Sequence, residues 1–415
     1  MSAISGSLTV YLVGLLSLLR QALPQSPETV EISKRTQVIG CWSLIGILLA
    51  VGLWLTPIHR AWQLSSQGFI ALADKKVESF TAKLEQAHRL APWEPYYSYQ
   101  LGWNLAHVRS ENAQVNQARS QQSLEFFQRN VLASPHQESG SSSLGWQQML
   151  QRQWAAATTS LLKSTQLVPA KRGGFYSLGQ SLLLQNKTDL GVQAIALEIV
   201  RDPLFLTSPL LQAPPMASVY PQVQAEVLRL YQALLKHRPD PDPFTLYLHQ
   251  CLGGVYWWQG NLPAAQTQWQ QAGLPLGPAL LAISRNEAVT LDLPILKAWL
   301  EPQRRSQWIA KALLQANQAV PNPQAVEVIQ MGMDRSESFD QWVKHNAPLR
   351  QYPRERAGFG VLSRHIDGPA PQDFFPVVEN LAMTRFLPEL LPSTDYSPAL
   401  DRALQPLREG LWRSL

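Results

Sequence analysis

Uncharged, mainly apolar residues run without interruption in two places near the start of the chain. The longer run, 38–58, has 21 residues, and Trp42 and Trp54 fall near its two ends. A helix of about 20 apolar residues crosses a bilayer, and tryptophans are common at the membrane interface. Basic residues flank the run on both sides. The pattern therefore predicts a transmembrane helix over 38–58.

The earlier run, 3–19, has 17 uncharged residues, which is the lower limit for a membrane-spanning helix. A cleaved signal peptide is the alternative, although no basic residue precedes Leu8 and no small-residue cleavage site follows Leu19. The loop between the runs carries three basic residues, and basic loops tend to stay in the cytoplasm. We therefore predict a membrane anchor over 1–60, with the C-terminal part outside the cytoplasm.

After the anchor, a Leu-Gly pair recurs along the chain. It occupies positions 101–102, 144–145, 178–179 and 252–253. The two middle pairs are 34 residues apart, and three prolines, Pro135, Pro169 and Pro203, recur at the same interval. Repeats of this length are pairs of helices that bury their apolar faces against neighbouring pairs. The pattern predicts an all-α fold.

The repeat divides the chain after the anchor into four segments. Stacked helical pairs are predicted over 61–205, and one further pair over 246–280. A proline-rich linker with one helix, 206–245, separates them, because successive prolines deny a helix its amide donors. The segment 281–415 has helical patterns without a clear repeat, and it includes an irregular stretch rich in Arg, Gly and Pro, 350–376.

The composition limits the classes of function. Charged residues make up 16% of the chain and apolar residues 45%, which argues against a largely disordered protein. The formal charge of +5 comes without a basic block or a nucleic-acid motif, so no nucleic-acid partner is predicted. Neither the two cysteines nor the eight histidines have the spacing of a metal site, and known catalytic motifs are missing. We predict no catalytic residue, metal or cofactor, and enzymatic activity stays open.

One group of polar residues could form a binding site in the irregular stretch 350–376. It comprises Arg354, Arg356, Arg364 and His365. Arginine guanidiniums match phosphate and carboxylate groups, and loops often carry function. An anion-binding site is one interpretation, for an acidic glycan or a lipid-linked pyrophosphate. The alternative is structural, with the arginines paired to nearby carboxylates and pinning an irregular C-terminal cap.

The stretch LGGVYWWQGNLPAA, 252–265, resembles the tetratricopeptide repeat, in which a small residue lets two antiparallel helices approach closely. The matching residues include Leu252, Gly253, Tyr256 and Ala265. The resemblance implies that residues one, four and five after the matched glycine line a concave groove. These include Trp103, Trp146, Leu150, Leu184, Trp257 and Trp258. We expect the groove to bind a protein partner. The alternatives are that the tryptophans stack a sugar ring or that the chain's own C-terminal segment covers them.

The membrane run followed by repeats reading LAPWEPYYSYQLG and AAATTSLLKSTQLVPAKRGGFYSLGQSL resembles the C-terminal part of bacterial, cyanobacterial-type O-antigen ligase and polymerase proteins. The resemblance extends to about Pro203. It implies a role in cell-envelope polysaccharide assembly, beside polyprenyl-linked glycan machinery. The family's membrane bundle and catalytic loop have no counterpart here, so no catalytic residue is carried over. The alternatives to a membrane-anchored scaffold are a truncated or split part of such a glycosyltransferase and an extracytoplasmic glycan-binding protein.

Overall fold

The computed structural model is helical throughout the part of the chain that it describes. That part contains twelve α-helices, three short 3-10 turns and no β-strand, so the predicted all-α fold is confirmed. The described residues are 34–108, 110–212, 214, 216–236, 238, 241–274, 277–278, 281, 391–392 and 397–415. The first predicted membrane run, 3–19, and the irregular stretch 350–376 lie outside them.

The helices follow one another with short connections. They are α1 (Lys34–Ala73), α2 (Val77–Leu90), α3 (Pro95–His107), α4 (Ala113–Ala133), α5 (Glu138–Leu150), α6 (Trp154–Leu167), α7 (Gly174–Leu183), α8 (Thr188–Arg201), α9 (Tyr220–Lys236), α10 (Pro243–Trp258), α11 (Leu262–Ala272) and α12 (Pro398–Arg413). Several begin at a side chain that accepts a hydrogen bond from an amide of the first turn. These caps are Glu94, Asn112, Asp242, Asn261 and Ser397.

The chain divides into two compact units, residues 1–63 and 64–415. In the first unit, the predicted membrane run 38–58 lies within α1. Among the residues that the structure describes, we find no helix that combines the length and the apolar character needed to cross a membrane. Inside that run, the side chains of residues 38–41, 44, 45, 48 and 49 are not among those described.

A glycine lies at the contact between the two helices of each hairpin in the second unit. A Cβ atom on Gly145 would lie 2.6 Å from Leu161, and one on Gly179 would lie 2.6 Å from Ile195. The contacted residue comes sixteen positions after the glycine in four hairpins. These pairs are Gly68 with Leu84, Gly145 with Leu161, Gly179 with Ile195 and Gly253 with Trp269. The glycine is therefore used for close approach, as the Leu-Gly repeat predicts, and Gly68 extends the pattern to the α1–α2 hairpin.

The α3–α4 hairpin follows the same plan with an insertion. Gly102 faces Phe127, which is twenty-five positions later instead of sixteen. Helix α4 has 21 residues, whereas α6 and α8 have 14 each, so most of the insertion lengthens α4 by about two turns. The sequence predicts this insertion in the polar stretch RSENAQVNQARS, 109–120. The structure places its larger part at the start of a helix rather than in a loop.

The turns inside the hairpins also repeat. A residue with positive φ comes seven positions after the glycine in four of them. These residues are Lys75, Arg152, Asn186 and Gly260. The residue just before this position bonds to the preceding hairpin in two cases, because Gln151 Nε2 donates to Ser120 O at 3.0 Å and Gln185 Nε2 donates to Trp154 O at 3.2 Å. Successive hairpins are thus joined at equivalent positions.

Replacing Gly179 by alanine should destabilise the second unit. The new Cβ would meet the Gly191 carbonyl oxygen at 2.8 Å, and a backbone atom cannot rotate away. We expect a loss of about 1–3 kcal/mol in the free energy of unfolding, measured by chemical denaturation. Gly410 is the matched control, because a Cβ there has nothing within 4 Å. Gly410→Ala should be neutral or stabilise by up to about 1 kcal/mol, and an equal loss in both variants would contradict the packing role.

Candidate functional site

Two of the four tryptophans predicted to line the groove are buried in the main core. Trp257 is completely buried, with its ring centroid 6.4 Å from that of Trp269 and 6.5 Å from that of Trp258. Trp258 Nε1 donates a hydrogen bond to the Tyr220 hydroxyl at 2.8 Å, and this hydroxyl donates to the Leu206 carbonyl oxygen at 2.8 Å. The two rings therefore connect α10 to α9, to α11 and to the 3-10 turn 203–207.

The other two predicted groove tryptophans are also packed against the protein. Trp103 is buried, and its ring centroid lies 3.8 Å from that of His107, one turn later on α3. Trp146 is half-buried against the main core. All four rings contact neighbouring side chains in the structure. Stacking of a ligand on any of them stays a prediction.

The exposed apolar residues of the predicted groove are Leu150 and Leu184. Each comes five positions after a hairpin glycine, and their exposed fractions are 63% and 37%. The glutamines that follow them, Gln151 and Gln185, make the bonds that join successive hairpins. These bonds fix the two leucines at equivalent places in adjacent hairpins. We call Leu150 and Leu184 the turn leucines.

Exposed basic residues accompany the turn leucines. Arg152 is exposed two positions after Leu150, and Lys187 is exposed three positions after Leu184. Asp189 is an exposed acidic residue near the second turn. The edge therefore combines apolar side chains with two basic residues and one acidic residue.

Helix α12 covers another part of the repeats. Trp412 Nε1 donates to the Thr165 hydroxyl on α6 at 3.2 Å, and the Trp412 ring stacks on Phe175 of α7 with centroids 6.3 Å apart. Leu404, on the same helix, is completely buried in the main core. Helix α12 therefore packs on α6 and α7, whereas coverage of the four groove tryptophans by the C-terminal segment stays a prediction.

A balanced group of charges lies under α12. Arg408 is 1% exposed and pairs with Asp401, and its guanidinium carbon lies 5.7 Å from the Phe175 ring centroid. Arg172 Nε donates to the Asp202 carboxylate at 2.6 Å. Burial lowers the pKa of Arg201, and the positive charges of Arg172 and Arg408 act in the same direction. Acidic partners neutralise these guanidiniums, so the group serves to hold helices together.

One repeated position, three residues after the residue that contacts the hairpin glycine, is polar in three hairpins and alanine in the other two. Asn130 Nδ2 donates to the Pro95 carbonyl oxygen at 2.8 Å, and the Ser164 hydroxyl donates to the Glu138 carboxylate at 2.7 Å. The buried Glu198 carboxylate accepts bonds from the amides of Gly173 at 2.7 Å and Phe175 at 3.0 Å. Each side chain joins the second helix of a hairpin to the start of the first, so Glu198 has a structural role.

Replacing Glu198 by glutamine should destabilise the fold, although the shape is kept. Burial raises the pKa of Glu198, whereas Arg201 and the amides at the start of α7 oppose that rise. An amide side chain would turn one donor toward the Gly173 or Phe175 N–H, and we expect a cost of about 1–3 kcal/mol in unfolding free energy. Glu226→Gln, at a surface pair with Arg229, should cost about 0–1 kcal/mol. Equal effects in thermal denaturation would contradict the capping role.

The remaining candidate chemistry is limited. Within the described ranges, no group of three or more His, Cys, Asp or Glu side chains could hold a metal ion. Burial raises the pKa of Cys251 to about 12, so its thiol is not a nucleophile at neutral pH. The predicted anion-binding residues Arg354, Arg356, Arg364 and His365 lie outside the described residues.

The sequence leaves open a cover by the C-terminal segment, but it does not indicate that α12 packs on α6 and α7. Its residues Arg408 and Trp412 contact partners more than 200 positions earlier in the chain. The signal available was the amphipathic pattern of PALDRALQPLREGLWR, which predicts a helix with one buried face but does not say what covers it. In comparisons with known proteins, no family model matches the chain and no curated protein matches it.

Proposed function

We propose that the chain is a membrane-tethered helical-repeat scaffold that binds a polypeptide partner through the edge carrying the turn leucines. The observation that carries the proposal is the exposure of Leu150 and Leu184 at equivalent positions of adjacent hairpins. Exposed apolar residues that recur in register offer a partner a continuous surface, and repeat proteins use such surfaces for binding. The tetratricopeptide resemblance supports the same class of function.

The tether is proposed from the first unit. Trp42, Ile47, Leu53 and Trp54 of α1 are large apolar residues, and all four are exposed. At about 100° per residue, these four and Val51, which is also exposed, cover about half of the helix circumference, which is wider than an apolar stripe of about 100°. Water solvates such a surface poorly, so a lipid environment for the run 38–58 fits these side chains.

Photo-crosslinking tests the proposed partner surface. A photoreactive amino acid placed at 150 or 184 in the full chain should give the same polypeptide adduct in native membranes. Lys163, which is exposed on α6, is the control position and should not give it. In a chain carrying the probe at 184, Leu150→Ser should lower the adduct yield several-fold. An adduct of equal yield from all three positions, or none from 150 and 184, would contradict the proposal.

A role in a biological process is proposed from the resemblance to O-antigen ligase and polymerase proteins. The likeness to the C-terminal part of O-antigen ligase and polymerase proteins supports cell-envelope polysaccharide assembly, with the repeats outside the cytoplasm. Deleting the gene should change the length or the amount of a surface polysaccharide. A reporter fused after Leu415 and active only outside the cytoplasm should be active. Unchanged polysaccharides together with an inactive reporter would contradict a role in polysaccharide assembly. The crosslinking experiment would then still test the scaffold proposal.

A further inference from the structure

We propose that the surface of α6, α7 and α8 beneath α12 is a helix-binding site, which accepts α12 from a second copy of the chain as well as the chain's own α12. This α12 site is distinct from the turn leucines, because it lies where the α5–α6 hairpin connects to the α7–α8 hairpin. The inference adds a second binding surface to the proposed scaffold, and neither surface depends on the other.

Helix α12 lies across two adjacent hairpins. Trp412 Nε1 donates to the Thr165 hydroxyl oxygen near the end of α6 at 3.2 Å, and the Trp412 ring stacks on Phe175 near the start of α7. The same helix packs against α8. One helix thus covers a surface that three helices of the repeats share, which is how an amphipathic helix binds in a groove.

The inward face of α12 carries a regular row of leucines. Leu400, Leu404, Leu407 and Leu411 are spaced by four, three and four residues, which places them on one face of a helix. Three of them are buried, and Leu407 is half-buried against the main core. Helical ligands are anchored in grooves by apolar residues with this spacing. The row therefore has the pattern of a helical ligand.

The ion pairs near α12 lie within each surface rather than between the two. Arg408 is 1% exposed, and its partner, Asp401, lies seven residues earlier on the same helix. On the repeats, Arg172 is bonded to Asp202, and the Glu198 carboxylate is bonded to backbone amides. Removing one partner of a buried ion pair is costly. These pairs stay together when α12 leaves, so one α12 can replace another without separating them.

Phe175 makes the site selective for one register of the bound helix. Its ring centroid lies 5.7 Å from the guanidinium carbon of Arg408 and 6.3 Å from the ring centroid of Trp412, one turn later on α12. A shifted or reversed helix would not bring both side chains to this ring. A second copy of the chain carries the same α12, so it reproduces every contact, and exchange of an identical element is a low-cost route to a dimer.

A fluorescently labelled peptide of residues 397–415 tests the site in the full chain. Leu404→Arg should release the chain's own α12, because Leu404 is completely buried and its position cannot hold an unpaired charge. We expect the peptide to bind this variant roughly tenfold or more tightly than the parent chain, in which the chain's own α12 competes. Fluorescence anisotropy measures both affinities. If the variant unfolds without a docked α12, the peptide should raise its thermal midpoint by binding the folded form.

Two peptide variants test how the site recognises its ligand. Trp412→Ala should weaken binding roughly tenfold or more, because it removes the contacts with Phe175 and Thr165. Arg402→Ala, at an exposed position of α12, is the matched control and should bind within about twofold of the parent peptide. Equal binding of the two variant peptides would overturn the helix-binding site. So would a parent peptide that neither binds the Leu404→Arg chain nor raises its thermal midpoint.

Two full chains with complementary changes test the second copy as the ligand. One carries Leu404→Arg, which leaves its α12 site open, and the other carries Thr165→Arg, which obstructs the place of Trp412 and keeps α12 intact. With different tags, the two variants should co-purify from detergent as a one-to-one dimer. Trp412→Ala added to the Thr165→Arg chain should abolish the dimer. Peptide binding without co-purification of the two chains would overturn the second copy as the ligand.

Discussion

Trp257→Ala should destabilise the second unit by about 3–5 kcal/mol, because it removes a completely buried ring from a cluster with Trp258 and Trp269. The unfolding free energy from denaturant titration measures this loss. Trp93→Ala is the matched control, since that ring is 58% exposed, and it should change stability by no more than about 0.5 kcal/mol.

The result decides between packing and ligand binding for the paired tryptophans. A ring that serves mainly as a ligand platform can be removed with little loss of stability, whereas a ring that fills the core cannot. If Trp257→Ala unfolds at the same denaturant concentration as the parent chain, the buried position of Trp257 is wrong.

Removing Ser397–Leu415 should have the second large effect. The deletion takes away buried Leu400, Leu404 and Leu411 and uncovers Phe175. A fully buried leucine contributes about 1.5–3 kcal/mol, so the loss should reach several kcal/mol and lower the thermal midpoint by many degrees. Binding of a hydrophobic dye should increase, since Phe175 and the apolar residues beside it become accessible.

Point variants within α12 separate the loss of its buried contacts from other effects of deleting the segment. Leu404→Ala should cost about 2–5 kcal/mol, because the side chain is completely buried. Arg402→Ala, at an exposed position of the same helix, should change stability by about 0.5 kcal/mol at most. An unchanged thermal midpoint for both the deletion and Leu404→Ala would show that α12 does not hold the repeats together.

The sequence predicts the helical hairpins because their geometry depends on local residues. The Leu-Gly pair predicts close approach at Gly145, Gly179 and Gly253, and a Cβ at each position would collide with the partner helix. Gly68 is not part of a Leu-Gly pair, because glutamine precedes it, so the repeat pattern does not identify it. Its role is visible only when α2 is placed beside α1.

The contacts of the groove could not be predicted in the same way. Helical phase gives the face on which Trp258 lies but not the element that covers it. The residue that contacts it, Tyr220, belongs to the one helix of the predicted proline-rich linker, 206–245. Trp412 meets Thr165 across 247 positions, and no local pattern encodes such a pairing. Of the residues expected to line the groove, Leu150 and Leu184 are exposed, whereas the four tryptophans pack against neighbouring side chains.

The most direct test of the membrane-tethered scaffold is alkaline carbonate extraction of membranes that contain the full chain. The chain should stay in the membrane pellet. Ile47→Arg combined with Leu53→Arg should release it, because each arginine within a membrane helix costs about 2.5–3.5 kcal/mol. Ile70→Arg, at an exposed position of α1 outside the run 38–58, should stay in the pellet. A parent chain that carbonate extracts would contradict the tether, and a double variant that remains in the pellet would contradict a membrane span over 38–58.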